Sequence, residues 1–378
     1  MTPSLSFNSP ISGSYAPEDC LFLLKPIQPP NVTVAEKERL IQSGQKHYSE
    51  MLTYEHLPDV RYRDLFIEQT RCYKTRLAQD VLNLANAIRC SRSAPITLVS
   101  LARAGTPIGA LLQRALTCHL QTDSRHFSIS IIRDRGIDER ALSYLLRVAQ
   151  RPPAGLVFVD GWTAKGVITR QLKASIAAWN HRQTEVLADT LYVVSDLSGT
   201  ADVAATFDDY LIPSGILGAT VSGLVSRSIL NEHIGVSDFH GCVVYEQWRS
   251  ADDSRWFLDM ISTEMAKLKP KSLCTHAQVG RRVETASYLK KLQQAHGITN
   301  VNHVKPGILE ASRVMLRRMP GLLLLRDPHC PAVAHLQLLA TEKKVPICVD
   351  PTMPFGATAL IHEMQKVSVS HLATQEAS

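Results

Sequence analysis

Short apolar runs rich in β-branched residues recur between helical stretches from residue 96 onwards: Ile96–Ser100, Phe127–Ile132, Leu156–Val159, Leu191–Val194 and Asp209–Ile212. A strand that reaches its next partner through a helix must pair with it in parallel. The expected class is therefore α/β, with a parallel sheet covered on both faces. Phe239–Tyr245 reads as a further strand and Asp253–Leu268 as a helix. Upstream, Val34–Tyr54 has helical spacing behind Thr33, with Glu36 three residues on completing a capping box. Tyr62–Arg89 is a second helical region, with Leu77, Val81, Leu84 and Ile88 available for burial.

The 378 residues exceed what one ordinary core holds, so two domains are expected. Residues 1–32 carry prolines at 3, 10, 17, 26, 29 and 30 and read as an irregular arm. Residues 33–266 form the first domain. Lys267–Arg282, a basic polar stretch, reads as a linker. Residues 283–378 then alternate helices (Ser287–His296, Leu309–Arg317, Val333–Thr341) with strands (Leu322–Arg326, Val345–Val349), a small second α/β unit. A net charge of +6 permits anionic partners without demanding them. The eight cysteines form no C-x-x-C pair and no zinc-like spacing, and MTPSLSFNSP has no secretory apolar core. They read as reduced thiols of a soluble cytoplasmic protein, and aliphatic runs such as Leu322–Leu325 are too short to span a bilayer.

Two stretches carry chemistry. In GLVFVDGWTAKGVITRQL, residues 155–172, an apolar strand stops at Asp160 and turns through small residues and Lys165 into a helix. In ITLVSLARAGTPIGALLQRAL, residues 96–116, a strand turns at Arg103-Ala104-Gly105 into a helix with Pro107 in its first turn. Each arrangement gathers backbone N–H groups, a helix N-terminus and a cation around a space fit for phosphate. In an open parallel sheet both loops fall on the carboxyl edge and share one crevice.

Here the chain resembles the type I phosphoribosyltransferases. In that family an A/S-R-G-G loop after a strand holds the pyrophosphate of phosphoribosyl pyrophosphate (PRPP), and Ala102-Arg103-Ala104-Gly105 matches it. The later family motif is an apolar strand, two acids and a small Thr/Gly loop for the 5-phosphate. Asp160 takes the first acidic position and Gly161 stands at the second, while Thr163, Ala164, Lys165, Gly166 and Thr169 span the phosphate loop, with Lys165 in place of the usual threonine. The resemblance implies Asp160, Arg103 and Lys165 as the catalytic set. It also implies Mg²⁺ as cofactor, brought with PRPP and held by Asp160, and a mobile covering loop carrying Arg133, Arg135, Asp138 and Arg140.

DGWTAKG, IIRDRGID and FHGCVVYEQW resemble, more narrowly, the bacterial StiP family of tellurite-resistance and stress gene neighbourhoods. That family is described both as cysteine protease and as phosphoribosyltransferase. A protease needs a thiolate beside a base. Cys242 is the candidate, because His240 at i−2 on a strand shares its face, with Asp238 and Glu246 near in sequence. Residues 305–361 resemble the L7Ae/Pelota RNA-binding fold through Gly307, Glu310, Ser312 and Arg313, with Leu309 in place of the family asparagine. Glu310 and Arg313, with Arg317 and Arg318 a turn later, offer base-edge and phosphate contacts to RNA. Three readings stand at this point: a PRPP-using transferase fused to an RNA-binding module, a non-catalytic PRPP or nucleotide sensor that binds RNA, and a cysteine peptidase.

Overall fold

A computed structural model describes residues 7–361 except 30, 54, 93, 94, 274–277, 318 and 319. The chain divides into two units, Met1–Ala286 and Ser287–Ser378.

In the first unit a short N-terminal run of β1 (Leu21–Leu23) and β2 (Lys25–Pro26) precedes β3 (Asn31–Val32), α1 (Val34–Gln42) and β4 (Leu52–Thr53). The long α2 (Val60–Ser91) leads into β5 (Ile96–Ala102), α3 (Thr106–Arg114), β6 (Ser124–Ile132), β7 (Gly136–Ile137) and α4 (Glu139–Arg147). Then come β8 (Leu156–Thr163), α5 (Val167–Arg182), β9 (Leu191–Asp196), β10 (Val203–Thr206), β11 (Gly241–Cys242) and α6 (Ser254–Met265).

The main sheet runs β1-β6-β5-β8-β9-β10, all parallel, with β7 folded back antiparallel on β6. Its register sets Ser100 beside Ser128 and Val159. Alternate residues therefore face opposite layers. One face buries Val99, Leu101, Phe127, Ile129 and Phe158 against Leu142 and Leu145 of α4 and Leu172, Ile176 and Trp179 of α5. Helices α2 and α3 lie against the sheet as well, α3 over β5, β6 and β8 and α2 over β9 and β10. Burial on both sides is why these strands are nearly unbroken apolar runs.

Several expectations are corrected. The N-terminal stretch is a packed part of the core: Phe22 and Leu23 are buried, β1 pairs with β6, and Arg114 forks the Asp19 carboxylate at 2.7 Å. Six prolines hid a three-residue strand. Helix α1 starts at its Thr33 cap, whose hydroxyl accepts from the Glu36 N–H, but ends at Gln42 instead of Tyr54. Tyr210–Ile212 are buried without being a strand, and the sheet takes β10 instead. Of Phe239–Tyr245 only Gly241–Cys242 forms a strand, paired with β2, while Val244 makes an isolated bridge to Val225. The linker is shorter than expected, since α7 (Gln278–Ala295) begins inside it. The Lys269 carbonyl and Lys271 N–H are tied to Gln79 and Asn83 of α2.

The second unit carries β12 (Val304–Pro306), α8 (Ile308–Arg317), β13 (Leu322–Leu325), α9 (Ala334–Lys343), β14 (Ile347–Val349) and β15 (Ala357–Leu360). Its sheet order is β12-β15-β13-β14, with β15 antiparallel to both neighbours and β14 parallel to β13. Ser312 is buried, bonded to the Ile308 carbonyl and to His335 Nε2 at 2.7 Å, so it serves the core of this unit.

His126 on β6 illustrates how polar groups are accommodated. Its ring nitrogens lie 2.7 Å from the Asp19 carbonyl and 2.7 Å from Ser100 Oγ, and burial pushes its pKa down to about 4. The unfolded imidazole takes a proton near pH 6.5, which the folded one refuses until about 4. Its stabilising share is thus whole above pH 6.5 and shrinks as pH falls through this window. Between pH 7 and 5 the loss should be about 2 kcal/mol. Denaturant titrations of the parent and of His126→Gln at both pH values test this: the variant should show a flatter pH dependence, and equal slopes would refute the assignment.

Candidate functional site

From β5 the chain steps to β6 on one side, then crosses back over β5 to β8 on the other. The order reverses between β5 and β8, the place in an open parallel sheet where the loops leaving the carboxyl ends can border a crevice. These are the two loops singled out in the sequence.

The first descends from β5 through Ala102 and Arg103, joined by a cis peptide, to Gly105 at the N-terminus of α3. Gly105 N–H donates to Leu101 O and Thr106 N–H to Arg103 O, which closes the turn. A Cβ on Gly105 would stand 2.9 Å from both the Leu101 and Val159 carbonyl oxygens, so only glycine lets the loop settle between the two strand ends. The second loop starts later than expected. β8 does not stop at Asp160 but continues to Thr163, pairing Trp162 with Ser195 and Thr163 with Asp196. Asp160 thus sits on a strand, 8% exposed, with Gly161 N–H donating to its Oδ1 at 2.7 Å. Thr163 Oγ1 accepts from Gly166 N–H at 3.1 Å, folding Ala164-Lys165 into a tight turn, and Gly166 caps α5 in the left-handed conformation, φ 65°. Thr169 is buried, its hydroxyl facing Thr200.

The loops meet. A Cβ on Gly161 would lie 3.5 Å from the Ala104 carbonyl oxygen, so the first loop touches the strand that carries Asp160. Arg103 is engaged from outside both motifs: its Nη1 reaches the two Glu55 oxygens at 2.7 and 2.8 Å. Arg227 and Lys37 gather nearby, both donating to the Met51 carbonyl. Sequence reading missed Glu55, Lys37 and Arg227, which lie in segments with no motif and are assembled only by tertiary folding.

The expected covering loop is a short pinned hairpin. Arg133 N–H donates to the Tyr48 hydroxyl, Asp134 N–H to Gln171, and Arg135 pairs with Glu50 at 2.7 Å. Asp138 is not in it. It is a buried cap of α4, accepting from Arg140 and Ala141 N–H and from His240 N–H at 2.6 Å, while Arg140 lies over the Phe7 ring. The Cys242 and His240 pair also departs from expectation. His240 Nδ1 bonds Ser130 Oγ at 2.8 Å, Cys242 is fully buried, and burial pushes its thiol up to about 12. Among the described residues no cysteine thiol is hydrogen-bonded to a histidine.

In the second unit Gly307, φ 94°, opens α8, and Glu310, Arg313 and Arg317 follow at i, i+3 and i+7 along its less buried side. Glu310 and Arg313 pair at 2.9 Å. Arg318 lies outside the described residues.

The fold defines a parallel-sheet α/β protein with two strand–turn–helix loops at its switch point, followed by a small α/β unit. Residues 13–262 match the family model described as tellurite-like stress resistance cysteine protease StiP, and residues 283–363 match the PELOTA RNA binding domain. A protein of Acinetobacter baylyi (strain ATCC 33305 / BD413 / ADP1) named cysteine protease StiP is 40% identical over 371 residues, covering 94% of this chain and 95% of its own. The chain belongs to the StiP family. Distant likenesses among solved structures include a Trypanosoma cruzi hypoxanthine phosphoribosyltransferase complexed with IMP, 16% identical over 37% of this chain and 78% of that one, TM-score 0.26. A hypothetical protein from Neisseria gonorrhoeae with bound ppGpp is 16% identical over 32% of this chain and 65% of its own, TM-score 0.21.

The left-handed Gly166 yields a direct test. A Cβ there would stand 2.7 Å from Thr200 Cγ2 and Oγ1 as well as forcing an unfavourable φ. Gly166→Ala should cost about 1–3 kcal/mol in denaturant midpoint measurements; an unchanged midpoint would mean the loop is not held as described.

Proposed function

We propose that the first unit is a PRPP-using transferase and that the second unit carries it to RNA. The observation that supports the reading is the approach of the Ala102–Gly105 loop to Gly161 on β8, the strand that carries Asp160 and leads into the second loop. In this reading the first loop and Arg103 receive the pyrophosphate, the Ala164–Gly166 turn with Lys165 and the α5 N-terminus receives the 5-phosphate, and Asp160 orients the ribose hydroxyls.

The donors present suit a Mg²⁺ that arrives with its diphosphate. Such an ion takes one or two protein carboxylates and completes its shell with phosphate oxygens and water. Asp160 is the carboxylate that would hold it, and among the described residues no three His, Cys, Asp or Glu side chains converge into a protein-only cage. When bound, the ion would offset the charge that develops on the departing pyrophosphate. In this reading Arg103, released from Glu55, would face the leaving group, and Asp160 would favour the positive charge that grows on the ribose.

The family name brings a second reading, a cysteine peptidase acting in stress or tellurite resistance. A nucleophilic thiolate needs a depressed pKa and access. Cys242 has the reverse of both, and its expected base is bonded to Ser130. This favours the transferase.

Asp160→Asn keeps size and hydrogen bonding but removes charge, so PRPP turnover should fall on the order of a hundredfold with folding intact. Cys242→Ala should leave turnover within a few-fold. Pyrophosphate release and hydrolysis of a peptide substrate, both assayed after a melting check on the two variants, decide between the readings: the peptidase predicts no pyrophosphate release, with peptide hydrolysis lost in Cys242→Ala and kept in Asp160→Asn.

For the RNA module, Arg313→Ala with Arg317→Ala should weaken binding of a labelled hairpin RNA and lower its salt slope by about two. Unchanged affinity in anisotropy titrations would remove α8 from the interface.

A further inference from the structure

Glu55 is an odd neighbour for a loop read as an anion site. Its two oxygens take Arg103 Nη1 at 2.7 and 2.8 Å, and the same nitrogen reaches the Val225 carbonyl at 3.3 Å. A Cβ on Gly218 would lie 3.1 Å from Glu55 Oε2 and 3.3 Å from Arg103 Nη2, so that glycine lines the same pair. Two residues past Val225, Arg227 donates to the carbonyls of Tyr48 and Met51 at 3.2 and 2.7 Å. Lys37 Nζ donates to that same Met51 carbonyl at 3.1 Å, which brings its ammonium beside the Arg227 guanidinium. Three cations thus converge on one carboxylate.

Their environment bears this out. Burial, then the Arg227 charge, pulls Lys37 down to about 8, and burial followed by the Arg103 charge lowers Arg227. In both cases Glu55 acts in the opposite direction. Like charges packed together in a part-buried setting stay only where negative charge compensates them, and among the described residues Glu55 is the carboxylate that pairs with Arg103 and acts on both Lys37 and Arg227.

We infer that Lys37 and Arg227 complete the Arg103 anion site, and that Glu55 is an internal stand-in which a diphosphate group displaces. This rests on reading the Ala102–Gly105 loop as a diphosphate site. A diphosphate carries more charge than one carboxylate and presents several acceptor oxygens, so it compensates the three cations better. Glu55 sets the threshold: ligand must compete with a carboxylate tethered at high local concentration. Substrates with a lone carboxylate or a monophosphate would dislodge it poorly, which gives the site a preference for diphosphates.

Calorimetric titration of the full-length protein with inorganic pyrophosphate tests the inference. Glu55→Gln, which keeps the side-chain shape, should bind pyrophosphate at least tenfold tighter than the parent, and Glu55→Ala serves as a second variant if the first is poorly folded. Adding Lys37→Ala to Glu55→Gln should return a severalfold loss. Equal affinities in parent and both Glu55 variants would overturn the inference, as would a Lys37 change without effect. The underlying reading has separate arms. If Arg103→Ala abolishes pyrophosphate binding while the Glu55 variants gain nothing, the loop stands and the displaced carboxylate falls. If Glu55 and Lys37 act as stated while Asp160→Asn leaves PRPP turnover intact, the diphosphate site stands and the ribosyl assignment falls.

Discussion

Parallel strands cannot be joined by tight hairpins, and this constraint organises the first unit. At β5 and β8 the strand end on the carboxyl edge feeds a loop that climbs into a helix. Where the order reverses between β5 and β8, the loop after β5 leads into α3 and the loop after β8 into α5. The crevice is therefore a consequence of connectivity before it is a matter of side chains. Gly105 then determines how close the loops come, because its missing Cβ lets the chain rest on the Leu101 and Val159 carbonyls.

The parts of this that could be read from the sequence share one property: they are local. β5, β6, β8 and β9 lie where continuous apolar runs place them, since strands buried on both faces need no alternation. The two loops were legible for the same reason, each written within about ten residues. What escaped was non-local. β1 is three residues among prolines, and only its pairing with β6 makes it a strand. Tyr210–Ile212 are as apolar and buried as a strand without being one, because hydropathy reports burial and not hydrogen bonding. Cys242 and His240 have the sequence spacing of a shared face, yet the ring turns to Ser130 and the thiol into the core. The Glu55–Arg103 pair spans 48 residues and has no signature at its Glu55 end.

Two polar clusters in the first unit show opposite uses of burial. Asp138, His240 and Ser130 form a closed set in which the Asp138 carboxylate accepts three backbone N–H groups and burial still raises its pKa. It braces α4 against the segment before β11. Around Glu55 charge is less evenly matched, with cations outnumbering the carboxylate and backbone carbonyls taking up donors. A closed set rigidifies a fold; an unbalanced one retains affinity for what would balance it.

The extension of β8 past Asp160 has a kinetic side. A carboxylate carried on a paired strand is already ordered, flanked by β9 through Val193 and Ser195, and loses little freedom when a ligand arrives. The ordering cost then falls on the short turns at either side, Arg103-Ala104 and Ala164-Lys165. In the proposed reading, encounter and retention fall to different parts of the chain: the turns set how often a collision becomes a complex, and the strand fixes where the sugar of the ligand would lie.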